Sequence, residues 1–282
     1  MENMIAGIDA TALDLLLEKV HRETGYDFRE YKCGTVARRL ERRLHATGAE
    51  TYPAYMEFLD AHPEEYQRLA DDLTIKVSSF FRGSYTFRQV ASLVLPELAL
   101  FKRDRGERRL GFWSTGCARG EEPYSIAILL AEFLGNRRQD FDISIYATDI
   151  SRQALQEAWT GVYLPKDVKG LDPTLLEEYF TRHDEGYVVE ADIRQMVSFF
   201  YFDLVSTIQQ PLVNLDCIFC CNVLIYLQSQ LQERVLGMLY DSLATPGYLI
   251  LGEVETLTNS LNEKLECIDN KAKIYKKNRR RR

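Results

Sequence analysis

No apolar run in these 282 residues approaches the roughly 20 that a bilayer-spanning helix needs, so membrane insertion is not expected. Histidine is scarce. His21, His45, His62 and His183 are scattered and form no pair at metal-ligand spacing. Cysteine is little richer. Three of the six fall in "DCIFCCN", which reads as a buried strand with Cys217 and Cys220 on opposite faces. No second cysteine pair accompanies them, so reduced, buried thiols are expected and no metal site. Positive charge is in deficit. A formal net charge of −7 argues against a nucleic-acid partner, because such binding relies on neutralising phosphate. The start, "MENMIAGIDATALDLLLEKV", carries acids where a secretory signal would carry bases, and a cytoplasmic location is expected. Internal repeats, low-complexity linkers and a strict GxGxxG are absent too.

What remains is an ordinary globular composition, 46% hydrophobic and 27% charged. Residues 1–75 read as a helical domain. Leu13, Leu16, Leu17 and Val20 recur at helical spacing, as do Val36, Leu40 and Leu44. After a linker at 76–108, residues 109–282 alternate short β-rich runs with helical ones. Strands are expected at "RLGFWS", "ISIYATD", "MVSFFYF", "LDCIFCCN", "GYLILGE" and "KIYKK". Helices are expected at 121–134, 151–158, 173–180 and 228–243. This alternation predicts an α/β fold with a mainly parallel sheet covered on both faces. The less regular stretch 160–196 accommodates a helix and a small β insertion.

The most informative string is "FWSTGCARGEEPYSIAILL", residues 112–130. A strand runs into Gly116-Cys117-Ala118-Arg119-Gly120 and then into a helix, the geometry of a nucleotide-type site in which glycine permits close backbone approach. A second strand ends on Asp149, an acid placed to accept hydrogen bonds from ribose hydroxyls. Glu121 and Glu122 open the helix. They suit its dipole but would repel a pyrophosphate, which disfavours NAD and ATP. A cationic nucleoside fits instead. S-adenosylmethionine carries ribose, adenine, an ammonium and a sulfonium, with no phosphate.

Taken together, "TIKVSSFFRG", "STGCARGEEPYSIA", "ATDIS" and "CCNVLIYL" resemble, in order and over most of the chain, the chemotaxis receptor methyltransferases. These are S-adenosylmethionine-dependent protein-glutamate O-methyltransferases. The resemblance implies an all-α N-terminal domain facing the receptor, then a Rossmann-like methyltransferase domain with a β-subdomain at about 160–196. It implies that Lys76, Ser78 and Arg82 of the linker line the cofactor site together with Gly116. Arg82 would meet the methionine carboxylate, Glu121 the ammonium and Asp149 the ribose. Asp203 and Leu204 would lie beside adenine, and Asn222 and Val223 beside the methionyl portion. Departures from the family pattern are Lys76 for Asn, Ser78 for Thr, Asp203 for a frequent Asn, "CCN" for "CRN", and "GEVETL" at 252–257 for a GHSE string.

The implied reaction needs no general base, since a glutamate with pKa about 4.3 is ionised at neutral pH. Arg82, Tyr226 and Tyr240 are candidates for aiming the acceptor carboxylate. Arg38, Arg39, Arg42 and Arg43 form i,i+4 pairs on a basic helix and are expected to dock on glutamate-rich receptor helices. The expected products are S-adenosylhomocysteine and a glutamyl methyl ester, and the default oligomeric state is a monomer. The rival readings are a nucleic-acid or small-molecule methyltransferase of the same fold, and a non-catalytic cofactor-binding module.

Overall fold

The computed structural model describes residues 10–74, 77–184, 186–205 and 212–278. Lys76 and the terminal run of arginines lie outside the described residues. The chain divides into two compact units.

The first unit is built on four helices, α1 (Ala10–Thr24), α2 (Cys33–Thr47), α3 (Tyr52–Ala61) and α4 (Glu64–Leu73). Their boundaries follow local chemistry. Gly48 closes α2 at φ +76°, and the Thr51 hydroxyl caps α3 by accepting from the Ala54 amide at 3.3 Å. The leucines at helical spacing supply the core: Leu13, Leu16, Leu17 and Val20 pack with Phe28, Val36, Leu40 and Leu59. Set into that core is Glu65, 1% exposed, which takes a forked contact from Arg43 (2.6 and 2.8 Å) and the Tyr55 hydroxyl at 2.9 Å. Residues Tyr226–Leu231 also belong to this unit. The Lys32 amide donates to the Tyr226 carbonyl at 2.8 Å, and Tyr31 bridges to Leu227.

The second unit opens with α5 (Ser84–Gln89), a π-turn at Val90–Val94 and α6 (Leu95–Asp104). The stretch read as a linker is therefore largely helical. A seven-stranded sheet follows. Its strands are β1 (Arg109–Thr115), β2 (Asp142–Asp149), β6 (Val197–Tyr201), β7 (Leu215–Cys220), β8 (Leu243–Leu251), β9 (Leu265–Asp269) and β10 (Ile274–Lys277). The spatial order is β6-β2-β1-β7-β8-β10-β9. The first five are parallel, and β10 runs antiparallel between β8 and β9. All six expected strands are present. β9 was not anticipated: "LECID" is short and buries only its first residue.

The main connections are α7 (Glu121–Leu134), α8 (Arg152–Thr160), α9 (Pro165–Val168), α10 (Pro173–Tyr179), α11 (Ala191–Arg194), α12 (Ser229–Ser242) and α13 (Asn259–Asn262). The irregular stretch holds a small antiparallel sheet of β3 (Val162–Tyr163), β5 (Gly186–Val189) and β4 (Phe180–His183), in that spatial order. The fold is thus Rossmann-like, as expected. Chain order reverses at β1, which pairs with β2 on one side and β7 on the other. The crevice beyond the carboxyl ends of those strands is where open α/β sheets bind ligands.

The thiols depart from expectation. Cys117, Cys217 and Cys220 are buried, but Cys33 and Cys267 are exposed, because one sits in the first turn of α2 and the other on the polar edge strand β9. Among the described residues no helix is long and apolar enough to cross a membrane.

Candidate functional site

The loop after β1 is an unusual piece of backbone. Gly116, Ala118 and Gly120 have φ of +66°, +47° and +92°. A Cβ on Gly116 would lie 2.6 Å from Val223 Cγ2, so the loops after β1 and β7 touch here and only glycine fits. A Cβ on Gly120 would meet Ala158 and the Tyr163 hydroxyl at 3.0 Å. Ala118 pays for its left-handed conformation, about 1–2 kcal/mol, through its amide, which donates to Asp149 Oδ2 at 2.8 Å. The other carboxylate oxygen, Oδ1, accepts the Ser151 amide at 2.7 Å. Two backbone amides therefore fix the orientation of Asp149 at the end of β2.

Glu121 begins α7 and is 1% exposed. Its Oε1 is 3.0 Å from Arg119 Nη2, which also reaches Asp167 at 3.0 Å. Among the described residues its Oε2, also buried, has no hydrogen-bond partner. Burial pushes this carboxyl above its ordinary range, and Arg119 only partly offsets that. An orphaned carboxylate oxygen costs about 1–3 kcal/mol, which a cationic ligand would recover. Behind it Glu122 accepts the Ser114 hydroxyl at 2.6 Å, and burial raises it to about 7.

The segment 77–83 is tied to the same helix. The Phe81 amide donates to Ser125 Oγ at 2.9 Å, and Ser125 Oγ donates to the Glu121 carbonyl at 2.6 Å. Arg82 is exposed and gives one hydrogen bond to the Val77 carbonyl at 2.9 Å. Ser78 is half-buried. Arg82, Phe87, Cys221, Asn222, Gly252 and Glu253 are among the residues around a cavity of about 360 Å³. Asp203, at the end of β6, is 8% exposed, with Leu204 half-buried beside it. Asn222 follows β7 in a left-handed conformation, φ +61°, with Val223 against Gly116.

Gly116, Glu121, Asp149, Asp203, Leu204, Asn222 and Val223 thus cluster at the carboxyl ends of β1, β2, β6 and β7. Tyr240 does not join them. Its ring lies between Lys277 Nζ at 4.3 Å and Lys264 Nζ at 5.6 Å. Tyr226 belongs to the helical unit. The basic helix α2 splits as well. Arg38 and Arg42 are exposed, whereas Arg43 is committed to Glu65 and Arg39 donates to the Asp72 carbonyl.

Glu255 is a further residue of this region that motif reading passed over. It is 3% exposed and accepts three backbone amides, from Gly252 (2.7 Å), Asn222 (2.9 Å) and Ile225 (3.2 Å). The only sequence signal for it is the Glu that closes the "GEVE" string.

A mostly parallel sheet with its glycine loop at the switch point, and buried acids where a phosphate binder would place donors, is the arrangement expected of an S-adenosylmethionine-dependent methyltransferase. The orphaned Glu121 oxygen and the amide-fixed Asp149 fit that cofactor's ammonium and ribose. Comparison with known families agrees. Residues 11–74 match the CheR methyltransferase all-alpha domain, and residues 76–274 match the CheR methyltransferase SAM binding domain. The chain belongs to the CheR methyltransferase family. It is 30% identical over 281 residues to the chemotaxis protein methyltransferase of Borreliella burgdorferi, covering 98% of this chain and 97% of that one. It is 32% identical over 254 residues to that of Salmonella typhimurium, covering 88% and 84%. An uncharacterized 104.1 kDa protein of Rhodobacter capsulatus matches at 32% over 248 residues, 88% of this chain but only 26% of that protein.

Proposed function

We propose that this chain methylates glutamate side chains of chemoreceptors in the cytoplasm, giving glutamyl methyl esters that serve chemotactic adaptation. The observation that carries the reading is the buried acidic cluster with the unpartnered Glu121 oxygen, in a chain whose relatives include chemotaxis protein methyltransferases. Bound S-adenosylmethionine supplies a methyl group made electrophilic by its sulfonium.

The chain's own residues bind, orient and shield. Glu121 takes the ammonium through Oε2, and Asp149 takes the ribose hydroxyls. Asp203 and Leu204 border the adenine, and Asn222 and Val223 the methionyl portion. Arg82 and Ser78 contribute from the segment pinned to Ser125, with Arg82 placed for a carboxylate. The acceptor glutamate is ionised at neutral pH, so no residue has to remove a proton. The work falls to positioning in a site poor in water. On α2, Arg38 and Arg42 present the free positive charge for glutamate-rich receptor helices, while Arg39 and Arg43 hold the helical unit together.

The test is transfer of labelled methyl to a chemoreceptor cytoplasmic fragment, followed by mild alkali. Label released as methanol identifies a glutamyl ester. Alkali-stable label would mean methylation at nitrogen or carbon, and would overturn this reading in favour of another substrate class.

A further inference from the structure

The GHSE-like string departs from the family pattern at its two middle positions, and the structure shows why the outer two carry the constraint. Gly252 follows β8 and places its amide on Glu255 Oε2. A Cβ there would stand 2.7 Å from that oxygen, 2.9 Å from the Asn222 amide nitrogen and 3.1 Å from Asn222 Nδ2. Glu255 Oε2 takes the Asn222 amide as well, and Oε1 takes that of Ile225. One carboxylate thus bridges the turn after β8 to the turn after β7, whose partners lie 33 and 30 residues away in the chain. Between its ends, Glu253 and Val254 are exposed, Val254 by 75%, and donate nothing to this contact.

We propose that Gly252 and Glu255 form a clamp that holds Asn222 in its left-handed conformation, so that Glu255 is a positioning residue for the cofactor. Asn222 sits at φ +61°, a left-handed conformation that asparagine tolerates more readily than other non-glycine residues but that still needs local enforcement to prevail over the right-handed and extended alternatives. The clamp supplies that enforcement through charge-assisted hydrogen bonds to both ends of the turn. Carboxylate chemistry is required. Oε2 serves two donors while Oε1 serves a third. A glutamine has one acceptor oxygen, and its NH₂ group would face an amide N–H. The effect on the cofactor rests on the proposed placement of Asn222 and Val223 beside the methionyl group, whereas the effect on the turn does not.

The experiment uses the full chain and three readouts: backbone amide exchange, calorimetric affinity for S-adenosylhomocysteine, and Tm. Glu255→Gln is expected to speed exchange at Asn222, Gly252 and Ile225, and to weaken S-adenosylhomocysteine by about tenfold, the scale of one or two lost buried hydrogen bonds. Val254→Ser leaves the clamp intact and is expected to bind within about twofold of wild type. Gly252→Ala forces a Cβ into the clamp and should reproduce the loss if Glu255→Gln fails to fold. Lys102→Met, at the other end of the sheet, should lower Tm without changing affinity, which separates positioning from general destabilisation. Unchanged exchange at Asn222 and Ile225 in Glu255→Gln would overturn the clamp. Faster exchange with unchanged affinity would overturn the placement of Asn222 beside the cofactor and with it the positioning role. Affinity that falls in step with Tm in Lys102→Met as much as in Glu255→Gln would also overturn that role.

Discussion

The two ends of the seven-stranded sheet solve the same problem differently. Each buries carboxylates that accept backbone amides. At the amino end Asp216 takes the Gly111 amide at 2.9 Å and is neutralised by Lys102 Nζ at 2.8 Å, with both side chains buried. At the carboxyl end Glu121, Asp149, Asp203 and Glu255 are all buried. There Arg119 is shared between Glu121 and Asp167, and one Glu121 oxygen has no partner among the described residues. The first arrangement is closed and structural. The second leaves, among the described residues, a charge imbalance stabilised by backbone geometry, which the proposed cationic cofactor would complete. Buried acids alone therefore do not mark a binding site. The distinguishing feature is whether the chain itself supplies the counter-charge.

That contrast is tested most severely at Lys102. Lys102→Met leaves Asp216 buried and unpaired and should cost about 3–5 kcal/mol of stability by denaturant unfolding, with S-adenosylhomocysteine affinity unchanged. Lost affinity would mean that the two ends are not independent. At the other end the expected signature is reversed. Asp149→Ala should weaken S-adenosylhomocysteine by about 1–3 kcal/mol in calorimetry, the cost of a lost buried hydrogen-bond partner. Full affinity would remove Asp149 from the site.

The acid behind the site gives a subtler effect. Desolvation in its partly buried place pushes Glu122 up to about 7 in the folded chain, against an ordinary value near 4.5. Between those pH values the folded state holds a proton that the unfolded state has released. Its contribution to stability is present below about 4.5 and is lost as pH rises through 7. Thermal melts of wild type and Glu122→Gln across that window should diverge with rising pH, the variant declining less. Parallel curves would contradict the burial argument.

The smallest effect belongs to α2. Reversing Arg38 and Arg42 to Glu should raise receptor KM by about 1 kcal/mol or less per charge, with cofactor affinity unaltered. Arg43→Ala should instead destabilise the helical unit by about 3 kcal/mol, since it leaves the buried Glu65 with only the Tyr55 hydroxyl and a long contact to Arg68 at 3.7 Å among the described residues. Unchanged KM in the double reversal would end the docking proposal.

The contrast also shows how far the chain could be read without coordinates. The glycine loop, Glu121 and Asp149 are local features of a strand–loop–helix unit and the strand beside it, so residue type and element order make them legible as candidates, although Asp149 lies farther from Gly116 than a dinucleotide fingerprint would place it. The parallel strands announced themselves through short apolar runs such as "CIFC", buried on both faces. β9 was hidden because an edge strand that buries one residue in five leaves no pattern. Glu255 was hidden for a different reason. Its partners are distant in sequence, and a lone Glu in "GEVE" looks like any solvated acid. The division of the four arginines depends on Glu65, 22 residues beyond Arg43. Helical periodicity places them on a polar face but cannot say which of them a distant acid will claim.

The measurement closest to the central claim is a paired calorimetric titration of the wild-type chain with S-adenosylhomocysteine and with ATP. The acidic carboxyl end predicts binding of S-adenosylhomocysteine, whose ammonium is proposed to meet Glu121, and none of ATP, whose phosphates the same acids would repel. Binding of ATP at comparable affinity, displaced by S-adenosylhomocysteine, would contradict it.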